Sequence, residues 1–217
     1  MKPKIYDLTP KISSRLGVFP GDQPFERTVA MSFGLGHHLE LSAIKTTVHL
    51  GAHADAPCHY HIDGESIETR ALGRYMGPAQ VVRVSGLARR ERVQPRHITT
   101  KIQASRVLFD TQSFPNPDHW NSDFCSLSPE LLEWLADQGV ILVGIDTPSV
   151  DPEDSKLLET HQILFKRNFA VLEGLVLKGV PEGLYTLIAL PLPIEGGDAS
   201  PVRAVLLPEV QDFPELA

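Results

Sequence analysis

Four side chains that bind metals well lie within one short stretch of the sequence. Residues 49–59 contain three histidines and one aspartate, all at odd-numbered positions: His49, His53, Asp55 and His59. Side chains alternate between the two faces of an extended backbone, so the first three would point the same way. Gly51 and Pro57 argue against a regular helix, and Pro57 can turn His59 toward the same cavity. Because divalent transition metals prefer imidazole nitrogen and carboxylate oxygen, the stretch predicts a metal site.

Hydrogen bonding alone is the alternative explanation for this cluster. A single histidine on a strand is usually hydrogen-bonded or at the surface, but a buried group of this size must be fully satisfied to avoid a large desolvation cost. The neighbouring candidates are weaker. His37 and His38 lie in a glycine-flanked turn and are expected to be solvated, and Cys58, at an even position, should face away from the ligands. His61 precedes a turn and is expected at most to support a ligand.

Short strands and a few helices indicate an α/β fold. Strands are predicted over residues 5–8, 25–30, 39–49, 79–84, 106–111, 140–146, 169–175, 185–193 and 202–207, with a turn over 195–201. One helix should begin after Ser128, with Pro129 at its first position, and end near Gly139. A second helix is predicted over residues 154–161. Strand, helix and strand over residues 106–146 predict a βαβ unit with a right-handed crossover.

Two further residues stand out by their surroundings. Glu173 lies inside the apolar segment 169–175, where an unpaired carboxylate would be expensive to bury. A surface position or a salt bridge would explain it, and so would metal ligation. Phe19 lies between turn residues, where it could close the edge of the core or contact a substrate from a loop held by proline and glycine.

Composition limits the class of protein. The chain has 217 residues, 42% of them hydrophobic, which predicts one folded domain over residues 1–217. A net charge of -7 argues against nucleic acid as a partner. The sequence shows neither a signal peptide nor an apolar run of about 18 residues, so we expect no membrane segment and a cytoplasmic location. Two cysteines do not make a disulfide framework.

Several motifs together resemble one known family. They are Phe19-Pro20-Gly21-Asp22, the stretch from His49 to Tyr60, Val150-Asp151-Pro152 with His161, Leu172-Glu173-Gly174-Leu175, and Asp198-Ala199-Ser200-Pro201-Val202-Arg203. The chain resembles the metal-dependent cyclase-like hydrolases over nearly its whole length. The last two motifs resemble the branch of bacterial kynurenine formamidases, or arylformamidases.

The resemblance implies a fold, a site and a reaction. The fold would be a swivelling β/β/α domain that assembles as dimers or tetramers. Two zinc ions would be held by His49, His53, Asp55, His161 and Glu173, with the two carboxylates bridging, and manganese is an alternative metal. His59 would be the general acid/base for attack by metal-bound hydroxide on an N-formyl aryl amide such as N-formyl-L-kynurenine. Phe19 would contact the substrate ring.

Three other functions remain open at this stage. A hydrolase of the same superfamily could act on a different aromatic amide or ring, such as isatin. A metal-binding or small-molecule-binding module would hold metal without turnover, although it would have no need of His59. A structural protein with incidental histidines would bind no stoichiometric metal.

Overall fold

The computed structural model describes residues 4–208, and over them the chain forms thirteen strands and two α-helices. The strands are β1 (Tyr6–Asp7), β2 (Glu26–Met31), β3 (Leu41–Lys45), β4 (His53–Asp55), β5 (Met76–Arg83), β6 (Arg92–Val93), β7 (Arg106–Asp110), β8 (Ser126–Leu127), β9 (Leu142–Ile145), β10 (Ala170–Glu173), β11 (Gly183–Ile188), β12 (Ala199–Pro201) and β13 (Val205–Leu207). The helices are α1 (Pro129–Ala136) and α2 (Glu159–Lys166). Short 3₁₀ helices cover Phe33–Leu35, Pro57–His59, Ile67–Thr69, Leu72–Arg74 and Pro95–His97. The α/β class is confirmed, and residues 1–3 and 209–217 of the predicted domain lie outside the described residues.

Nine strands form one mixed sheet in the order β1-β13-β11-β5-β7-β9-β10-β4-β12. The central strands β5, β7, β9 and β10 run parallel, and the outer strands pair antiparallel. β7 and β9 are parallel neighbours with α1 between them in the chain, as the βαβ interpretation predicts. Because parallel strands end at the same edge of a sheet, the residues at the ends of β7, β9 and β10 come together there.

Apolar side chains fill both faces of this sheet. Val107 and Phe109 belong to one hydrophobic cluster and Leu108 to the other, as alternation along a strand requires. The leucines of α1 and Leu164 of α2 cover the first face. At about 25 cal/mol per Å² of apolar surface, this double burial is the main stabilising term of the fold. It also makes the central sheet a rigid support for the side chains at its edge.

The helix starts follow local capping chemistry. The Ser128 hydroxyl accepts the Leu131 amide at 3.2 Å, so the predicted cap of α1 is confirmed. The helix predicted over 154–161 lies five residues later at both ends, because Leu158 takes a left-handed conformation and α2 begins after it. Among the described residues no helix is both long and apolar enough to cross a bilayer.

β2 and β3 form a hairpin that stands apart from the main sheet. They pair only with each other, and none of the residues from 26 to 45 is buried. Its exposed apolar side chains are Val29, Phe33, Leu35, Leu41 and Ile44, from 44% exposed at Val29 to 73% at Leu35. Two-stranded hairpins without a packed face are marginally stable in water.

Candidate active site

The stretch that begins at His49 reaches the site by a turn followed by a short strand. His53 and Asp55 lie two residues apart on β4 and therefore share a face, as predicted. The extended backbone predicted from position 49 is wrong, because residues 48–52 bend and Gly51 has a φ of +58°. His49 instead approaches from the other side of this turn. Pro57 starts the 3₁₀ helix that carries His59 toward the same cavity.

Asp55 is the centre of the cluster. Its Oδ1 lies 2.9 Å from His49 Nδ1 and 3.3 Å from His53 Nε2, and its Oδ2 lies 3.5 Å from His161 Nε2. The two oxygens therefore face histidines that come from different parts of the chain. Its side chain is 1% exposed. A carboxylate this deeply buried must be compensated by positive charge.

Glu173 completes the same arrangement from the end of β10, directly opposite His53 in the register with β4. Its Oε2 lies 3.5 Å from His53 Nε2 and its Oε1 lies 3.6 Å from His161 Nε2. Oε1 also accepts the Val150 amide at 2.7 Å, which fixes the carboxylate. The surface position considered for this residue is excluded, because Glu173 is buried. Like Asp55, it lies between two sets of histidine nitrogens.

Several buried atoms of the cluster lack hydrogen bonds. Neither carboxylate oxygen of Asp55 accepts one, and Nε2 of His161 has no partner, because the close approaches are poorly aligned for hydrogen bonding. Orphaned buried polar atoms are rare in folded proteins. Nitrogen and oxygen atoms that lie close together without forming hydrogen bonds are expected where all of them point toward one cation. The residues present therefore fit a divalent metal. Hydrogen bonds within the cluster do not satisfy these atoms in its place.

Electrostatics leads to the same requirement for positive charge. Burial lowers the pKa of His53, but Asp55 and Glu173 outweigh burial and raise it to about 10. Burial likewise acts against the charged form of His161, and Asp151 and Asp55 raise its pKa to about 10. Burial favours the neutral form of Asp55, yet the surrounding histidines hold its pKa well below the usual value. Without metal, protons on imidazole would have to balance the carboxylates.

Outer hydrogen bonds orient the histidines. Nδ1–H of His53 donates to the Gly51 carbonyl and Nδ1–H of His161 donates to Asp151, both at 2.8 Å. Asp151 is itself held by the amides of Thr160 and His161 and lies 3.1 Å from Arg92. These bonds leave Nε2 of each ring facing the carboxylates. Metal-binding histidines in proteins are oriented in this way.

Gly174 allows the close approach that this orientation needs. It has a φ of +64°, and a Cβ there would overlap the Gly51 carbonyl, the acceptor for His53. We expect Gly174→Ala to lower the free energy of unfolding by about 2–5 kcal/mol, through left-handed strain and overpacking. Urea denaturation of Gly174→Ala and Gly139→Ala tests this, because Gly139 has a φ of +81° but open space around its Cβ. Equal losses of unfolding free energy in the two variants would show that close approach of Gly174 to the Gly51 carbonyl is not required.

His59 lies at the open side of the cluster. Its ring centroid is 4.2 Å from that of His49 and 6.2 Å from that of His161. Its side chain is 36% exposed, against 1% for Asp55. Burial lowers the pKa of His59, which favours the neutral form of its imidazole. One nitrogen of His59 also lies within 4.8 Å of ligand atoms of His49 and Asp55, so position alone allows either ligation or proton transfer.

A cavity of about 1030 Å³ opens onto Glu173 and the four histidines of the cluster, His49, His53, His59 and His161. Phe19 lines it, with its ring 5.4 Å from that of Trp120 in an edge-to-face contact. Trp120 donates its indole N–H to Glu153 at 2.8 Å and also contacts Phe114. Phe19 therefore lies where the resemblance implies, although its contact with a substrate stays a prediction. Trp120 also lines the cavity, and it could not be predicted as a site residue because nothing in the sequence of its loop indicates which cavity it faces.

Other residues lie where local sequence could not place them. Asp198, in the segment predicted as a turn, contacts both His49 and His59, and β12 forms directly after it, which corrects the turn prediction over 195–201. Asp146, at the end of β9, lines the cavity, and burial raises its pKa to about 6. His61 does not support a ligand, because it stacks on Phe165 at 3.6 Å. The Cys58 thiol donates to the Gly197 carbonyl at 3.6 Å.

Comparison with known proteins gives the class to which this chain belongs. Residues 6–152 match the model of the Cyclase family, described as "Putative cyclase", and the chain belongs to this family. A kynurenine formamidase of Bordetella petrii is 40% identical over 205 residues, covering 94% of this chain and 97% of the relative. The kynurenine formamidase of Delftia acidovorans is 42% identical over 208 residues, with 95% and 98% covered. The resemblance to the formamidase branch is thereby confirmed.

Solved structures agree on the fold. A "Potential Metal-Dependent Hydrolase With Cyclase Activity" superposes with a TM-score of 0.83 at 30% identity, covering 96% of this chain and 99% of the other. Isatin hydrolase A from Labrenzia aggregata superposes with a TM-score of 0.81 at 23% identity, covering 94% and 93%. The description of the first structure, at 30% identity, agrees with a metal-dependent hydrolase. The second, at its lower identity, supports the fold alone.

Proposed function

We propose that this chain is a metal-dependent arylformamidase that hydrolyses N-formyl-L-kynurenine to L-kynurenine and formate in tryptophan degradation. The observation that carries the proposal is a cluster of three histidines and Glu173 around the buried Asp55, at a cavity with an aromatic wall; the histidines are His49, His53 and His161. The names of relatives about 40% identical over nearly the whole chain support the substrate class, a small aromatic formamide.

We further propose two zinc ions per chain, with manganese as an alternative. Asp55 faces His49 and His53 through one oxygen and His161 through the other, and Glu173 faces His53 and His161 in the same divided way. Carboxylates placed between two sets of imidazoles are suited to bridge two cations. Nitrogen and carboxylate ligands suit zinc, manganese and iron, so the donor set alone does not choose the metal.

The chain's own residues would divide the reaction between them. A divalent metal, when bound, supplies Lewis acidity that makes water a usable nucleophile at neutral pH and polarises the formyl oxygen. His59, whose neutral form is favoured by burial, can take a proton from the attacking water and deliver it to the departing anilino nitrogen. Cleavage of the C–N bond then yields formate and the aromatic amine. Phe19 and Trp120 hold the ring while this proton is moved.

Trp120 should contribute substantially to substrate binding. We expect Trp120→Ala to raise KM for N-formylkynurenine about 10-fold with a smaller change in kcat, because it removes an aromatic contact remote from the reacting bond. Trp120→Phe should recover most of the loss. Trp134 is the matched control, since it packs on the α1 side of the core and does not line the cavity. If Trp134→Phe and Trp120→Ala have equal effects on KM, Trp120 is not part of the binding wall.

One experiment tests the proposed function directly. Purified protein is analysed for metal and then incubated separately with N-formylkynurenine and isatin, with formate release and ultraviolet spectra recorded. We expect two zinc ions per chain, formate release, and loss of activity with a chelator. Turnover of isatin alone would favour the other hydrolase activity. Metal without turnover of either compound would favour a binding module, and absence of metal would favour a structural protein.

We also propose that copies of this chain associate through the β2–β3 hairpin into a dimer or tetramer. The hairpin carries five exposed apolar side chains and no buried residue. Its charged side chains, Glu26, Arg27, Glu40 and Lys45, sum to zero, whereas the chain has a net charge of -7, so two hairpins can meet without repulsion. About 20–30 residues per side are typical of a stable interface, and the segment 26–45 is of this size.

Ile44→Glu tests this association. We expect it to shift the wild-type oligomer toward monomer in analytical ultracentrifugation, because Ile44 is 67% exposed on β3 and a carboxylate there would have to be desolvated in the interface. Ile62→Glu is the control, since Ile62 is 96% exposed but lies outside the hairpin. A monomeric wild type, or equal behaviour of both variants, would contradict the proposal.

A further inference from the structure

Asp198 connects two histidines of the site through a single oxygen. Its Oδ2 lies 3.0 Å from His49 Nε2 and 3.6 Å from His59 Nδ1. The two imidazole rings that it joins are themselves only 4.2 Å apart. The Asp198 carbonyl accepts the Ala56 amide at 2.9 Å, which ties its loop to the backbone between Asp55 and His59. The contact is therefore anchored at both the side chain and the main chain.

Each contact selects one nitrogen of a histidine. Because an ionised carboxylate can only accept, His49 donates its Nε2–H to Asp198 at 3.0 Å, and in the neutral imidazole this leaves Nδ1, 2.9 Å from Asp55, without a proton and able to bind a metal ion. A carboxylate near Nδ1 of His59 favours the tautomer with the proton on that nitrogen, which leaves Nε2 free to exchange a proton with a bound substrate. A buried aspartate orients the histidine of a catalytic triad by the same principle.

We propose that Asp198 is a positioning residue that acts through both rings. Through His49 it holds a ligand nitrogen toward the metal, and through His59 it fixes the nitrogen that transfers the proton. The part concerning proton transfer rests on the proposed formamidase function. The part concerning metal rests only on the ligand geometry, so the two can be tested separately.

A purely structural role predicts a different outcome. The Asp198 side chain is 51% exposed, and ion pairs this accessible to solvent contribute little to stability. Removing Asp198 should therefore leave the fold nearly as stable as before while affecting the site strongly. A salt bridge that only stabilised the fold would change the melting temperature and leave metal affinity and kcat in the wild-type range.

The metal part is tested without substrate. Zinc affinity is measured by competition with a chromophoric chelator for wild type, Asp198→Ala, Asp198→Asn and Glu195→Gln. We expect affinity to fall about 10–100-fold in Asp198→Ala and by less in Asp198→Asn, which keeps an acceptor for His49. Glu195→Gln removes the same charge from an exposed position in the same loop and should bind zinc like wild type. Wild-type affinity in Asp198→Ala would overturn this part.

The proton-transfer part is tested with zinc at saturation. Asp198→Ala should lower kcat for N-formylkynurenine at least 10-fold with KM changed less than about 3-fold, and Asp198→Asn should recover part of the loss. In a His59→Ala background at saturating zinc the same substitution should lower kcat no further, because the ring whose proton transfer it supports is absent and its effect on zinc affinity through His49 is masked. Additive losses would overturn the inference. Formate release by wild type is measured alongside, so an inactive wild type would disprove the proposed function and leave the zinc result valid.

Discussion

Replacing Asp55 by asparagine is expected to remove metal from the protein and to lower turnover of N-formylkynurenine by at least about 10³-fold. Both oxygens of Asp55 face histidine nitrogens, at 2.9 Å, 3.3 Å and 3.5 Å, so its loss disturbs every part of the ligand set. Charge stabilisation of the transition state would be lost with the metal, and even one oxyanion-hole donor contributes about 10²–10³-fold. Elemental analysis and formate release measure the two effects.

The control for Asp55→Asn is an aspartate that also accompanies a histidine. Asp63 lies 3.9 Å from His61 but is 81% exposed and outside the cluster. Asp63→Asn should therefore keep full metal content and activity. Circular dichroism and thermal melting establish that Asp55→Asn is folded. A folded Asp55→Asn protein with the wild-type metal content would remove Asp55 from the centre of the site.

Glu173 shows how far chemistry alone could lead from the sequence. A carboxylate among apolar residues had to be paired or exposed, and the structure buries it beside two histidines. The register that sets Glu173 opposite His53 is a property of the assembled sheet and has no local signal. His161 was likewise predicted as a site residue only from the family resemblance. Its position on α2 depends on the left-handed conformation of Leu158, after which the helix begins.

Residues that act through long-range contacts could not be found from local pattern. Asp198 is 149 residues from His49 along the chain and 3.0 Å from it in space. Trp120 lies in a loop with no periodicity, and its place beside Phe19 follows from the contact between two loops that are far apart in the sequence. By contrast, the apolar run in β9 and the cap of α1 are encoded within a few residues, and both predictions were correct.

The position of the site on the sheet explains why distant segments meet. β9 and β10 are parallel, and their carboxyl ends bring Asp146 and Glu173 to one edge. The antiparallel strand β4 enters beside β10 and contributes His53 and Asp55 to that edge. Open α/β sheets bind their ligands at this edge because the loops that follow the strands converge there. The buried strands fix the proposed metal ligands, while the loops that carry Phe19 and Trp120 can vary with the substrate.

His59→Ala is expected to keep the metal and to lose most turnover. An acid/base histidine contributes about 10²–10⁴-fold to the rate, whereas the five proposed ligands are unchanged by this substitution. His59 is at the open side of the cluster, with 36% of its side chain exposed, which suits exchange of a proton with substrate. On one preparation of His59→Ala, metal content should therefore equal that of wild type, whereas kcat for N-formylkynurenine should fall by about 10²–10⁴-fold.

The ligand role for His59 gives the opposite pattern, which makes this substitution decisive. One nitrogen of His59 lies within 4.8 Å of ligand atoms of His49 and Asp55, so ligation would cost metal together with activity. His61→Ala is the control, because His61 stacks on Phe165 and should be removable without loss of either. If His59→Ala binds less metal than His61→Ala, then His59 is a ligand, and the proton must be delivered to the departing nitrogen by another group.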